Sequence, residues 1–416
     1  MNKLRHKVIV IGGGPAGMLA AGFAAQEGAK VILLEKNERL GKKLAITGKG
    51  RCNVTNHCSV EDVMKNTPRN GRFLFSALNG FSPDQVMDFF ENLGCELKVE
   101  RGNRVFPTSD RSASVVDALR RFLREQNVEV RQETAKSLVV EDGSVSGVVT
   151  DKGTVYGRRV ILCTGGCSYP LTGSTGDGYF MAQKVGHTVV EPRGSLVPLE
   201  EGGDWCARLQ GLSLRNVSVK LVNQKGKTVF SDFGELLFTH FGLSGPTILS
   251  ASAHMKPGDT YRIVIDLKPA LDEQKLDARI LRDLEQFQNR DMENALQELY
   301  PKSLIPVMLQ RAEISSRTKA NSLTKVERRK LLELTKAFPV EIAGVRPVEE
   351  AIVTAGGIST KEVDPKTMES KLVKGLYFAG EILDVDAYTG GFNLQIAWST
   401  AYAAGRSAGA QNIEEA

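Results

Sequence analysis

Apolar and polar positions along the chain follow two different rhythms, one at its ends and another in its middle. Val8 to Ile11 is a run of four β-branched residues, the pattern of a strand buried on both faces of a parallel sheet. A small-residue, Ala-rich helical stretch opens near Pro15, and a second apolar run, Ala29 to Leu34, ends on the acid Glu35. Val128 to Tyr156 is expected to form a β-meander, its turns marked by Glu141-Asp142-Gly143 and Asp151-Lys152-Gly153. Arg159 to Gly166 reads as another strand, ending on a glycine pair, and Gly375 to Glu381 as a short one ending on glycine plus acid. Gly390 and Gly391 then open a last Ala-rich helix, Leu394 to about Ala408. In the middle the runs are short and alternating. Val217–Val222 and Tyr261–Asp266 are examples, punctuated by turns at Asn223–Gly226 and Lys256–Asp259, so Ser195 to Leu267 predicts a small β-barrel or sandwich. From Asp272 to Ala337 leucines recur at helical spacing among charges, broken at Pro301 and Pro306, and one or two strands follow around Val340–Val353.

The turn between the first strand and first helix carries specific chemistry. Gly12, Gly14 and Gly17 stand in G-x-G-x-x-G spacing. The first permits a tight turn, the second lets backbone approach a pyrophosphate, and the third lets the helix sit close on the sheet. A helix starting at Pro15 aims unbonded amides and a positive dipole end at an anion. Glu35, leaving the next strand, is placed to accept hydrogen bonds from ribose hydroxyls. A tight turn alone explains three glycines. Strand, turn, helix, strand and acid in that order within about 30 residues predict a dinucleotide site.

Composition narrows the class further. The 416 residues allow two or three domains, and 41% apolar with 25% charged content is that of an ordinary globular protein. Six cysteines (Cys52, Cys58, Cys95, Cys163, Cys167 and Cys206) form no C-x-x-C pair and no metal-type spacing. They predict free thiols in a reducing cytoplasm, and argue against a dithiol reductase or a metal site. Lys3, Arg5 and Lys7 before Val8–Ile11 imitate a signal peptide, but the glycines and Pro15 interrupt that run. No stretch offers about 18 uninterrupted apolar residues, so no membrane helix is expected. Arg311–Lys336 holds eight basic and three acidic side chains, a net of +5 that equals the whole chain's charge. That stripe suits RNA phosphates or an anionic substrate, or is a solvated helix face without an aromatic for base stacking.

The strand ends and the last helix resemble the two-dinucleotide-binding-domain flavoproteins related to glutathione reductase and fumarate reductase. More narrowly, Thr47–Asn56, Gly173–Gly178, Gly234–Pro246, Val353–Gly357, Thr367–Lys371 and Gly380–Asn393 resemble the BaiN/YhiN family of NAD(P)/FAD-dependent oxidoreductases, which includes aminoacetone-oxidase-like proteins. The resemblance runs from the first strand to the last helix. It implies an α/β fold in which a Rossmann-like FAD-binding domain, residues 1–190 and 350–416, is interrupted by two insertions. These are a β-barrel-like insertion, 191–270 with strands near 338–352, and a helical cap, 271–337. It also implies FAD as cofactor, bound non-covalently since no histidine or cysteine has a flavin-attachment context. The strand-ending Gly380-Glu381 would hold the ribityl chain, and the last helix would point its N-terminus at the flavin pyrimidine.

The cofactor-binding set expected on these grounds is Gly12, Gly14, Pro15, Ala16, Gly17, Glu35, Lys36, Gly48, Lys49, Gly50, Arg51, Cys52, Asn53, Ala135, Thr164, Gly165, Gly166, Gly380, Glu381, Gly391, Phe392, Asn393 and Leu394. Lys49 and Arg51 suit phosphate charge, and Asn53 suits ring or ribityl atoms. Cys52 is the candidate nucleophile, or a small residue where the loop packs tightly. His240, beside Phe241, is the candidate proton carrier, or a histidine satisfied within the barrel. Tyr388, Asp384 and Asp386 are further acid–base candidates, and Asp177 is expected to brace a helix start. His6 and His57 read as surface residues, and His187 and His254 as lying at element ends. The activity implied is reduction of a conjugated C=C bond in a small molecule, linked to NAD(P)H. The alternatives are dihydrouridine formation on ribosomal RNA and oxidation of a small amine. With one glycine motif, NAD(P)H has no Rossmann domain of its own and would bind transiently at the flavin. No oligomeric state is implied.

Overall fold

A computed structural model describes residues 7–410. Lys3, Arg5 and His6 lie outside the described residues. The chain divides into two units, Leu196–Pro347 and the combination of residues up to Ser195 with those from Val348.

The discontinuous unit is built on a five-stranded parallel sheet. Its strands are β1 (Lys7–Ile11), β2 (Lys30–Glu35), β3 (Glu129–Gln132), β4 (Arg159–Leu162) and β5 (Leu376–Phe378), in the order β5-β4-β1-β2-β3. Central β1 pairs in parallel with both β2 and β4, so Ile9 lies between Ile32 and Val160. Both faces of β1 are covered, which is why its sequence is a continuous β-branched run rather than an alternating one. Helix α1 (Pro15–Gln26) follows β1, and helix α2 (Phe392–Gly409) ends the described chain. The two pack face to face without room for side chains: a Cβ on Gly405 would lie 2.5 Å from the carbonyl oxygen of Ala20, and one on Gly409 would lie 2.5 Å from that of Ala24. This close packing joins the first and last segments of the sequence.

Two strands fall elsewhere than the sequence suggests. Glu129–Gln132 belongs to the parallel sheet, taking the free edge of β2, and the meander proper is Ala135–Glu141, Ser144–Thr150 and Gly153–Tyr156. Val189–Ser195 bonds antiparallel to Val353–Ile358, so it stays with the discontinuous unit instead of opening the insertion.

The second unit is a closed six-stranded barrel. Leu199–Glu201, Gly242–Ser244, Thr228–Phe238, Ser213–Asn223, Tyr261–Asp266 and Phe338–Val345 follow one another around it. Alternation does the sorting: Tyr261, Ile263 and Ile265 are buried while Arg262 points out. Between the last two of these strands the chain leaves the barrel as Glu273–Gln286, Met292–Ala295, Ile305–Arg311 and Lys325–Lys336. Asp272 caps the first of these helices, and Thr324 with Glu327 forms a capping box on the last. Pro306 sits in the first turn of its helix, where a missing N–H costs nothing.

Candidate active site

The first turn of α1 is shaped for an anion. Gly12 has φ +102°, and a Cβ there would lie 2.5 Å from the Cys163 carbonyl oxygen; one on Gly17 would lie 1.7 Å from the Gly12 oxygen. Those two glycines are fixed by packing. Gly14 differs, because a Cβ there would meet nothing within 4 Å. Open space therefore faces the start of α1, which has no side-chain cap and no acid in its first turn. Helix α2 also begins without a side-chain cap, at Gly391 with φ +102°. Beside it, Asn53 Oδ1 is buried with no partner, as is Thr164 Oγ1 on the loop after β4. Unpaired buried polar atoms are rare in folded proteins and mark places where a ligand completes the bonding. An open glycine cradle, two uncapped helix starts, an orphaned amide oxygen and an orphaned hydroxyl are a set of donors and acceptors that fits FAD.

Glu35 is 8% exposed and accepts hydrogen bonds from the Gly13 amide at 2.6 Å and from the amide and side chain of Asn37, each at 2.7 Å. It therefore orients the glycine turn. Lys36 bonds Thr175 and Asp177, and Asp177 occupies the first turn of the helix Asp177–Lys184. Gly48 and Lys49 take left-handed backbone, and Lys49 is exposed. Gly50, also left-handed, has open space beside it. Ala135 opens the meander. Gly165 is left-handed and Gly166 lies against Thr354. A Cβ on Gly380 would come within 2.8 Å of the Ala16 Cβ, so the end of β5 sits on the first turn of α1.

Four expectations need correcting. Arg51 is not free for phosphate: it pairs with Glu100 and Asp110 and lies 4.1 Å over the Phe106 ring. Cys52 is fully buried, and burial pushes its thiol up to about 12, so it carries no thiolate at neutral pH. His240 is not inside the barrel; it is exposed at the turn between Thr228–Phe238 and Gly242–Ser244, its ring edge-on to Phe241. Asp386 is fully buried and held by Arg69 at 2.7 Å and by the Ser195 hydroxyl at 2.6 Å, which makes it a brace rather than a proton carrier.

Asp384 and Tyr388 flank that brace in sequence. Asp384 accepts from Asn70, and burial raises its carboxyl. Tyr388 is half-buried and donates its backbone N–H to Asn66. Asn393 turns its side chain back to the loop, accepting from the Ala387 amide and donating to its carbonyl, so only its backbone amide remains for a cofactor. Phe392 is buried and Leu394 half-buried. His57 is exposed beside Asp84, and the His254 ring lies 4.9 Å from Phe230. His187 is buried, with Glu362 on one ring nitrogen and Ser370 on the other.

Sequence reasoning missed Lys43 and Tyr179. Lys43 reaches Glu381 at 2.7 Å, and the same carboxylate takes the Thr354 amide at 2.7 Å and the Ser168 hydroxyl at 3.1 Å. Tyr179 follows the Gly173–Gly178 motif, and its hydroxyl is buried without a partner. Its phenol is raised by burial, with Glu381 adding to the effect. The basic stretch is largely neutralised inside its own unit: Lys319 pairs with Asp291, Arg328 with Asp277, Arg329 with Glu273 and Glu333, Lys330 with Glu313, and Lys336 with Asp266.

Residues 6–407 match the HI0933-like protein Rossmann domain. The chain is 33% identical over 416 residues to the 3-dehydro-bile acid delta(4,6)-reductase of Clostridium scindens, covering 97% of this chain and 99% of that one. It is 31% identical over 399 residues to the ribosomal RNA dihydrouridine synthase of Escherichia coli, covering 96% and 97%. Among solved structures, its fold is similar to that of 3-ketosteroid delta1-dehydrogenase from Sterolibacterium denitrificans. The TM-score is 0.51 at 15% identity, over 97% of this chain and 99% of that one.

Proposed function

The chain belongs to the HI0933-like Rossmann-domain family of FAD-dependent oxidoreductases, and on that premise we propose that it reduces a conjugated C=C bond of a small molecule at the expense of NAD(P)H. The observation that carries this reading is the end-to-end match to a reductase whose name specifies such a bond. Bound FAD would supply hydride exchange at its ring system. The chain's own residues would hold it in place. The amides at the start of α1 take the diphosphate across the open space at Gly14, and Glu35 takes the adenosine ribose. Asn53 Oδ1 would accept from a ring N–H or a ribityl hydroxyl, and the Thr164 hydroxyl would bond a ring or ribityl atom. The amides at the start of α2, with no acid in that turn to oppose them, would stabilise negative charge on the ring. Nothing in this set attaches FAD covalently. NAD(P)H would bind transiently where the substrate later sits. The six cysteines are free, and no helix of the described residues is long and apolar enough to cross a membrane. We place the protein in the cytoplasm.

A second reading, dihydrouridine formation on ribosomal RNA, is favoured by the match to the Escherichia coli synthase. Both reactions saturate a C=C bond conjugated to a carbonyl. The paired basic stretch argues for the smaller substrate, since charges already held by carboxylates release fewer counterions on meeting RNA. Anaerobic reduction of the FAD-loaded protein with NADH and NADPH, followed by reoxidation, separates the possibilities. The expected result is bleaching by a reduced nicotinamide and recovery with an enone. Recovery only with uridine-containing RNA would establish the second reading. Bleaching by a small amine, with recovery on admitting O2, would establish an oxidase, and failure of both nicotinamides to bleach the flavin would refute the NAD(P)H link.

A further inference from the structure

A pocket of about 280 Å³ opens on the barrel unit, away from every flavin motif in sequence. It lies between the start of Ser213–Asn223, the turn after Tyr261–Asp266 and the loop Leu299–Leu304. Its floor is apolar and fully packed: Leu214, Val217, Leu267, Leu299 and Leu304 are each buried to within 8% exposure. Tyr300 adds its ring, because its hydroxyl is already bonded to Thr335. The two charged residues lining the pocket are cations, Arg215 and Lys268.

Neither cation is well satisfied. Lys268 is half-buried, and its ammonium makes no ion pair among the described residues. The acid that faces it, Asp283, is taken by Arg279, whose Nε lies 2.8 Å from each carboxylate oxygen. Burial lowers the Lys268 ammonium, and the Arg279 charge lowers it further. Arg215 keeps a loose 3.9 Å contact with Glu235. An unpaired, partly desolvated cation beside an apolar floor is complementary to one kind of molecule. We propose that this pocket binds a small monocarboxylate with a compact apolar body, its carboxylate on Lys268 and Arg215 and its hydrocarbon on the leucine floor. The volume sits at the small end of ligand pockets, which excludes a long-chain lipid lying wholly inside. The site belongs to the insertion, and the proposal does not depend on which substrate the flavin reduces.

Calorimetric titration of the FAD-loaded full chain with octanoate tests this, with octanol as the uncharged control and acetate as the head group alone. Saturable octanoate binding is expected, stronger than for either control. Lys268→Gln should weaken it about tenfold by removing a charge-assisted contact, and Arg215→Gln by a few-fold, as the side chain is largely exposed. Ser213→Trp, at the exposed rim, should block it by filling the pocket. The flavin spectrum and unfolding temperature of each variant serve as folding controls. No heat of binding at millimolar octanoate, octanol binding as tightly as octanoate, or unchanged affinity in folded Lys268→Gln and Ser213→Trp would each overturn the proposal.

Discussion

Replacing Glu35 with alanine separates the turn-bracing role of its carboxylate from the ribose contact proposed for it. Without cofactor it accepts three hydrogen bonds, from the buried Gly13 amide and from both donors of Asn37. Removing it leaves the Gly13 amide unpaired in a site where water has little access, a loss of about 1–3 kcal/mol in apoprotein stability. The Asn37 donors lie nearer solvent and can rehydrate, so they add little. If the carboxylate also takes a ribose hydroxyl, the variant loses a further charge-assisted bond, about 1.5–3 kcal/mol, or roughly ten- to a hundred-and-fifty-fold in FAD affinity. Titrating apoprotein with FAD and with its 2′-deoxyadenosine analogue, by quenching of flavin fluorescence, tells the two apart. The parent should prefer FAD, and Glu35→Ala should bind both equally and weakly. A parent that binds both equally would reduce Glu35 to a brace of the glycine turn. A variant with the parent's FAD affinity would remove it from the adenosine site altogether.

Cys52→Ala should keep flavin content and turnover, because a fully buried thiol held near 12 is neutral throughout the working range. In the folded parent a thiol reagent at pH 8 should leave Cys52 unlabelled, and labelling before unfolding would show that the loop opens. His187 predicts a pH dependence. Burial depresses its ring below the ordinary histidine value, so below about pH 6.5 the unfolded chain takes up a proton that the folded one refuses. Stability should therefore fall as pH drops through 6.5, at no more than about 1.4 kcal/mol per unit from this group, with Glu362 contributing its own loss only in the carboxylate range. His187→Gln should flatten the urea midpoint between pH 7.5 and 5.5, and an equal slope in parent and variant would refute the assignment.

What the sequence made legible were the features encoded within a few residues. The β1–turn–α1–β2 unit could be read because its glycines, its helix start and Glu35 are neighbours, each answering to local backbone chemistry. Alternation separated the barrel strands from the buried parallel ones, but could not choose barrel over sandwich, since closure depends on which distant strands meet. For the same reason the pairing of Val189–Ser195 with Val353–Ile358 carried no local mark. Side-chain partners were the least legible. Lys43 finds Glu381 across 338 positions, and Arg69 finds Asp386 across 317, so composition said only that charges existed. Arg51 shows how this misleads. A basic residue in a glycine-rich loop reads as a phosphate ligand until Glu100 and Asp110, from elsewhere, occupy it.

The seam between α1 and α2 links these local and distant features. Gly405 lies on Ala20 and Gly409 on Ala24, so the helices run in the same direction. Extending that register to their first residues puts the start of α2 about eight residues beyond the start of α1, or about 12 Å along the axis. Two uncapped positive ends thus face the same way at different depths, one at the level of the Gly14 opening and the other beyond it beside Asn53. A dinucleotide whose negative diphosphate is separated by a polyol chain from an electron-rich ring would carry negative charge toward both ends. The glycines of the last helix therefore set where its first turn lies relative to that of α1. A bulky residue at position 405 would push the helices apart and displace the α2 end, although neither the first glycine motif nor Glu35 had changed.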